Sequence, residues 1–107
     1  MEEQKLKLSR WDPSWGPMSD RAMSERLQEG GYSISKYHYP PGTHFPLHTH
    51  AEDKVDSVLE GKLKISWDGG SAVLEAGDMI EIPAGTRHSA EVVGTETVIS
   101  LDAVKVR

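Results

Sequence analysis

The strongest constraint on this chain is its punctuation. From Tyr32 onward, short β-prone runs alternate with clusters of Gly, Pro and Asp. Tyr32 to Tyr39 stops at Pro40-Pro41-Gly42. A strand near Phe45 to His50 follows, then one from Lys54 to Glu60, closed by Gly61. Lys62 to Trp67 alternates, with Leu63, Ile65 and Trp67 on one face and Lys62, Lys64 and Ser66 on the other, the pattern of a half-buried strand. Asp68-Gly69-Gly70 is a hairpin signal, because glycine reaches the positive φ that tight turns require. Ser71 to Glu75, Met79 to Ile82, Arg87 to Val93 and Thr97 to Leu101 complete the set, with turns at Gly77-Asp78, Pro83-Ala84-Gly85 and Gly94-Thr95. Seven or eight short strands at regular spacing predict an all-β sandwich or barrel.

At 107 residues the chain is one domain with a modest core. It divides into residues 1–31, an N-terminal arm with a short helix, and residues 32–107, the β portion. In the arm, Ser19 is the expected N-cap, Asp20 sits in the first turn, and Gly30-Gly31 ends the helix. Met23 and Leu27, one turn apart, form its expected buried edge. Trp11 and Trp15 read as packing residues, docked on the β portion or on a partner subunit.

Composition excludes several functions. With no cysteine there is no disulfide, thiolate metal site, iron–sulfur cluster or cysteine nucleophile. A net charge of −5 with scattered Lys and Arg argues against a nucleic-acid partner. No apolar run approaches the roughly 20 residues of a membrane span. The charged start, Met1 to Lys7, is unlike a signal peptide, which makes the cytoplasm the expected location.

The chemistry lies in the histidines. His48 and His50, two apart on a strand, project from the same face. His88 follows a Pro-Ala-Gly turn that could aim it at the first pair. The plainer alternatives are a surface His-x-His or a vestigial cluster without metal. His38 reads as an ordinary strand residue and His44 as a residue near the mouth of the site. Phe45, Trp67, Ile80, Ile82 and Val92 read as core.

Gly42, five residues, His48-Thr49-His50 and then Gly61 resemble the first sequence motif of the cupins. Gly77, five residues, Pro83-Ala84-Gly85, two residues and His88 resemble the second. The resemblance covers roughly residues 32–103. It implies a double-stranded β-helix (jelly-roll) barrel carrying a short N-terminal helical arm. It also implies that His48, His50 and His88 are metal ligands for one divalent ion: iron, zinc, manganese, nickel or copper.

Two positions depart from the motifs. A ligating glutamate is expected at position 54, where Lys54 stands, and an asparagine at position 92, where Val92 stands. Of the nearby acids, Asp53 has the wrong strand parity and would ligate only through a bulge. Asp56 shares the parity of position 54 but lies about 6–7 Å further along. Lys54 and Asp56 therefore read either as an ion pair, closing the pocket or lying at a subunit contact, or as residues contacting a ligand.

Three neutral imidazoles leave a metal's charge and open positions available, which suits a catalytic site. The leading expectation is a metal-dependent cupin that binds or transforms a small oxygenated, anionic molecule, as a dioxygenase or isomerase. The alternative is a non-catalytic module sensing a metabolite or metal. A homodimer is expected, because so small a core gains from burying a further face.

Overall fold

The computed structural model describes residues 4–106. The first three residues of the charged start fall outside them. Nine strands and one α-helix follow in the order β1 (Leu8–Ser9), α1 (Asp20–Glu29), β2 (Tyr32–Tyr39), β3 (His44–His48), β4 (Lys54–Glu60), β5 (Lys62–Trp67), β6 (Gly70–Leu74), β7 (Met79–Ile82), β8 (His88–Val93) and β9 (Val98–Lys105). They form two antiparallel sheets, one of order β1-β7-β4-β9-β2 and one of order β3-β8-β5-β6. No helix among the described residues is long and apolar enough to cross a membrane.

Strand alternation splits the core into two layers. Val58, Ile80, Ile82 and Val98 of the five-stranded sheet meet Leu63, Ile65, Leu74 and Val92 of the four-stranded sheet. The next residues along β4 and β9 (Val55, Leu59, Leu101, Ala103) face the opposite way and bury Met23 and Leu27 of α1. β4 is therefore buried on both faces over Val55–Leu59, and one strand carries helix contacts on one side and the inter-sheet space on the other.

The helix forms as its caps dictate. Ser19 Oγ accepts a hydrogen bond from the Ala22 N–H, and Gly31 takes φ +88° after the last turn. Gly61, between β4 and β5, has φ +81° and no space for a side chain: a Cβ there would lie 2.9 Å from the Thr97 carbonyl oxygen.

Several boundaries differ from the sequence reading. β3 ends at His48, so His50 lies beyond the strand, and its register against β8 shifts between Phe45 and His48. β6 starts and ends one residue earlier than expected, and β9 runs on to Lys105. β1 was not expected: Leu8 pairs with Ile80 and Ser9 with Met79. Trp11 packs within its own chain, its N–H donating to the Gly77 carbonyl and its ring meeting Trp15 edge-on at 5.1 Å. Arg26 of α1 lies 3.3 Å over the Trp15 ring.

Candidate metal centre

The register that pairs β3 with β8 places His48 directly opposite His88. Their ring centroids are 4.3 Å apart, and His50 closes the triangle at 4.7 Å from His48 and 5.2 Å from His88. One nitrogen of each ring lies within 4.8 Å of the other two. The structure thus brings His48, His50 and His88 together. It leaves His38 and His44 on the surface.

Local backbone fixes two of the tautomers. His48 Nδ1 lies 2.7 Å from the Pro46 carbonyl oxygen, and His88 Nδ1 lies 2.9 Å from that of Thr86. A carbonyl only accepts, so each Nδ1 carries the hydrogen and each Nε2 keeps its lone pair. This is the orientation that ligating histidines need from their surroundings. Burial holds His50 and His88 below the ordinary imidazole range, with the Lys54 ammonium adding to the effect. His88 is only 2% exposed. The donor set is neutral nitrogen, which suits a borderline divalent ion.

The cluster opens into a cavity of about 140 Å³ between the sheets. The four-stranded sheet contributes Phe45, Leu63 and Ala90 beside His48 and His88. The five-stranded sheet contributes Tyr39, Lys54, Asp56 and Asp102. Phe45, read from sequence as core, is thus a wall residue, in edge-on contact with Tyr39 at 4.9 Å.

Lys54 does face this cavity. Its ammonium lies 3.7 Å from Asp56 Oδ1, an ion pair but too long for a hydrogen bond. Asp56 Oδ1 is buried with no hydrogen-bond partner. Asp102, which sequence reasoning missed, sits directly across from Asp56 in the β4–β9 register. It accepts hydrogen bonds from Ser100 Oγ at 2.7 Å and Tyr39 Oη at 3.3 Å. The available signal was parity: residue 102 shares the face of Val98 and Ser100. Asp53 turns away from the histidines, and its Oδ1 accepts the Ala84 N–H at 2.8 Å.

Burial, reinforced by Asp102, pushes the Asp56 carboxyl up to about 6, although Lys54 and His48 pull it down. A carboxyl raised in this way binds its proton more tightly folded than unfolded. Its stabilising contribution is complete below its ordinary 3.8 and is lost as pH rises through about 6. Asp56→Asn cannot ionise. In metal-free protein, urea unfolding is expected to show the stability difference moving in the variant's favour by about 2–3 kcal/mol between about pH 4 and pH 7. A constant difference across that window would show that Asp56 does not titrate there.

Comparison with known proteins bears on this site. A family model described as "Cupin domain" matches residues 35–104. Quercetin 2,3-dioxygenase of Bacillus subtilis is 47% identical over 49 residues, which is 45% of this chain and 14% of that enzyme. Acireductone dioxygenase of Parasynechococcus marenigrum is 49% identical over 45 residues, 38% of this chain and 24% of that enzyme. The chain thus spans less than a quarter of either curated relative. Among solved structures, a Rhizobium leguminosarum protein of unknown function aligns with TM-score 0.64 and 27% identity over 73% of each chain. Acireductone dioxygenase from Bacillus anthracis, with a cadmium ion in its active center, aligns with TM-score 0.73 over 94% of this chain and 78% of its own. At 16% identity that likeness concerns the fold.

Proposed function

The chain belongs to the cupin family, and on that footing we propose that His48, His50 and His88 hold one divalent first-row metal ion in a site that binds and transforms a small oxygenated molecule. The observation that carries the reading is the cross-strand pairing of His48 with His88, each with its Nδ1–H tied to a backbone carbonyl. When bound, such an ion would supply Lewis acidity, or one-electron chemistry toward dioxygen if it is iron. The dioxygenases among the relatives make dioxygen chemistry the first activity to test.

The chain's own groups have separable tasks in this proposal. The histidines present neutral nitrogens on one wall. Phe45, Leu63 and Ala90 limit water, which strengthens electrostatic contacts inside. Lys54 presents an ammonium from the opposite wall. Because its contact with Asp56 is longer than a hydrogen bond, its N–H donors are available to a ligand oxygen, which favours an anionic molecule. At about 140 Å³ the cavity is well below the roughly 300–1,000 Å³ of pockets for drug-sized ligands, so the ligand is small. A homodimer is part of the same reading.

The test is elemental analysis of protein purified without an affinity-tag metal, followed by anaerobic iron(II) loading. Dioxygen uptake is then followed against a panel of small carboxylates and enols. About one metal equivalent with substrate-dependent uptake is expected. Metal retention without turnover would favour the sensing module, and failure to bind any first-row ion would overturn the proposal.

A further inference from the structure

Two of the three histidines come from separate segments, His50 from the chain after β3 and His88 from the first position of β8, just past the Pro83–Arg87 turn. The segment of His50 and the turn itself lie outside the strands. Two hydrogen bonds nevertheless join them: the Gly85 N–H donates to the His50 carbonyl at 2.9 Å, and the Ala84 N–H donates to Asp53 Oδ1 at 2.8 Å. Asp53 is itself fixed, because its carbonyl accepts the Lys105 N–H of β9 at 2.9 Å. The turn is held internally by Thr86 N–H to the Pro83 carbonyl at 3.1 Å, and Gly85 takes φ +81°. From its far side, Gln4 Nε2 donates to Thr86 Oγ1 at 3.0 Å. The Thr86 carbonyl then orients His88.

We propose that Asp53 is a positioning residue of the metal centre, a side-chain clasp that locks the turn leading into His88 to the segment bearing His50. This rests on the three-histidine reading above. The physical case is that Asp53 is the side chain that completes a bridge otherwise made by a single backbone bond. Its own backbone is anchored to the five-stranded sheet, so the clasp refers both ligand segments to a rigid element. Ligand sites gain affinity when the supporting groups hold the ligating rings in place before the ion arrives. Asp53 is exposed, so its replacement removes a surface hydrogen bond and leaves the core untouched.

The test uses cobalt(II) alone on the full chain, in the natural protein, Asp53→Ala and Asp53→Asn. Asp53→Ala is expected to weaken cobalt(II) binding about tenfold or more, the usual size for groups that orient metal ligands. Asp53→Asn keeps an oxygen that accepts from the Ala84 N–H, and its affinity is expected within about threefold of the natural protein. Amide hydrogen exchange at Ala84 and Gly85, in metal-free protein, should accelerate in Asp53→Ala and stay slow in Asp53→Asn. Equal affinity in Asp53→Ala would overturn the proposal. So would an Asp53→Asn as weak as Asp53→Ala, because charge rather than the clasp would then be responsible. If the natural protein binds no cobalt(II), the three-histidine reading fails and the positioning role fails with it. The exchange rates then still report whether the bridge exists.

Discussion

Replacing His48, His50 and His88 together with alanine is expected to reduce bound metal from about one equivalent to none while the two sheets stay folded. The loss should be large because no other group of three ligating side chains converges among the described residues. Single substitutions divide the effect. His88→Ala removes a ring only 2% exposed and directly opposed to His48, so it should weaken zinc(II) or nickel(II) binding by at least about a hundredfold. His50→Ala should cost less, because His50 lies beyond the strand and has more freedom to be replaced by solvent. Calorimetric titration of metal-free protein, with circular dichroism as the control for folding, reads both. A triple variant that still retains a full equivalent would place the metal elsewhere.

Lys54→Glu should act on metal affinity and stability in opposite directions. The substitution places a carboxylate where the motif has its glutamate, facing the three histidines. It also removes the ammonium beside Asp56 and sets a third carboxyl near Asp56 and Asp102. Breaking an ion pair this buried, at a contact of 3.7 Å, is expected to cost the metal-free protein about 3 kcal/mol near neutral pH. Adding a divalent ion should then restore more stability in the variant than in the natural chain, because binding to the folded state alone stabilises it in proportion to affinity. The expected signature is a lower melting temperature without metal and a larger rise with it. Binding of small carboxylates should weaken in the same variant, since their cationic partner is gone. Unchanged metal affinity together with unchanged carboxylate binding would show that Lys54 takes no part in the site.

What was legible in the sequence follows from the range of each signal. The helix start at Ser19 and stop at Gly30-Gly31, the alternation through Leu63 and Ile65, and the turn glycines act over a few residues and could be read directly. His48, His50 and His88 were legible because the motif spacings carry long-range information. For Asp102 only half was legible: strand parity puts it on the face of Val98 and Ser100, but that it meets Asp56 depends on the β4–β9 register, which no local pattern encodes. The same holds for Asp53. Strand parity set it apart from the histidines, but its partner, the Ala84 N–H, is a backbone group and leaves no trace in residue types. β1 is too short to show any periodicity, and β9 was cut short because the polar Asp102 reads as an ending when it faces the cavity.

The two-residue strand β1 has a consequence out of proportion to its length. β7 presents Met79-Ile80-Glu81-Ile82 at one margin of the larger sheet, a short apolar segment with a row of backbone donors and acceptors. The arm occupies that row: Leu8 and Ser9 pair along it, the Glu81 N–H donates to the Lys7 carbonyl, and the Trp11 N–H reaches the Gly77 carbonyl just before the strand. An uncovered margin of this kind templates strand addition by another molecule. By covering this margin the arm is expected to lower the chain's tendency to aggregate. Shortening it trades a modest loss of packing for an open, sticky strand, which matters for anyone trimming this chain to its cupin portion for expression.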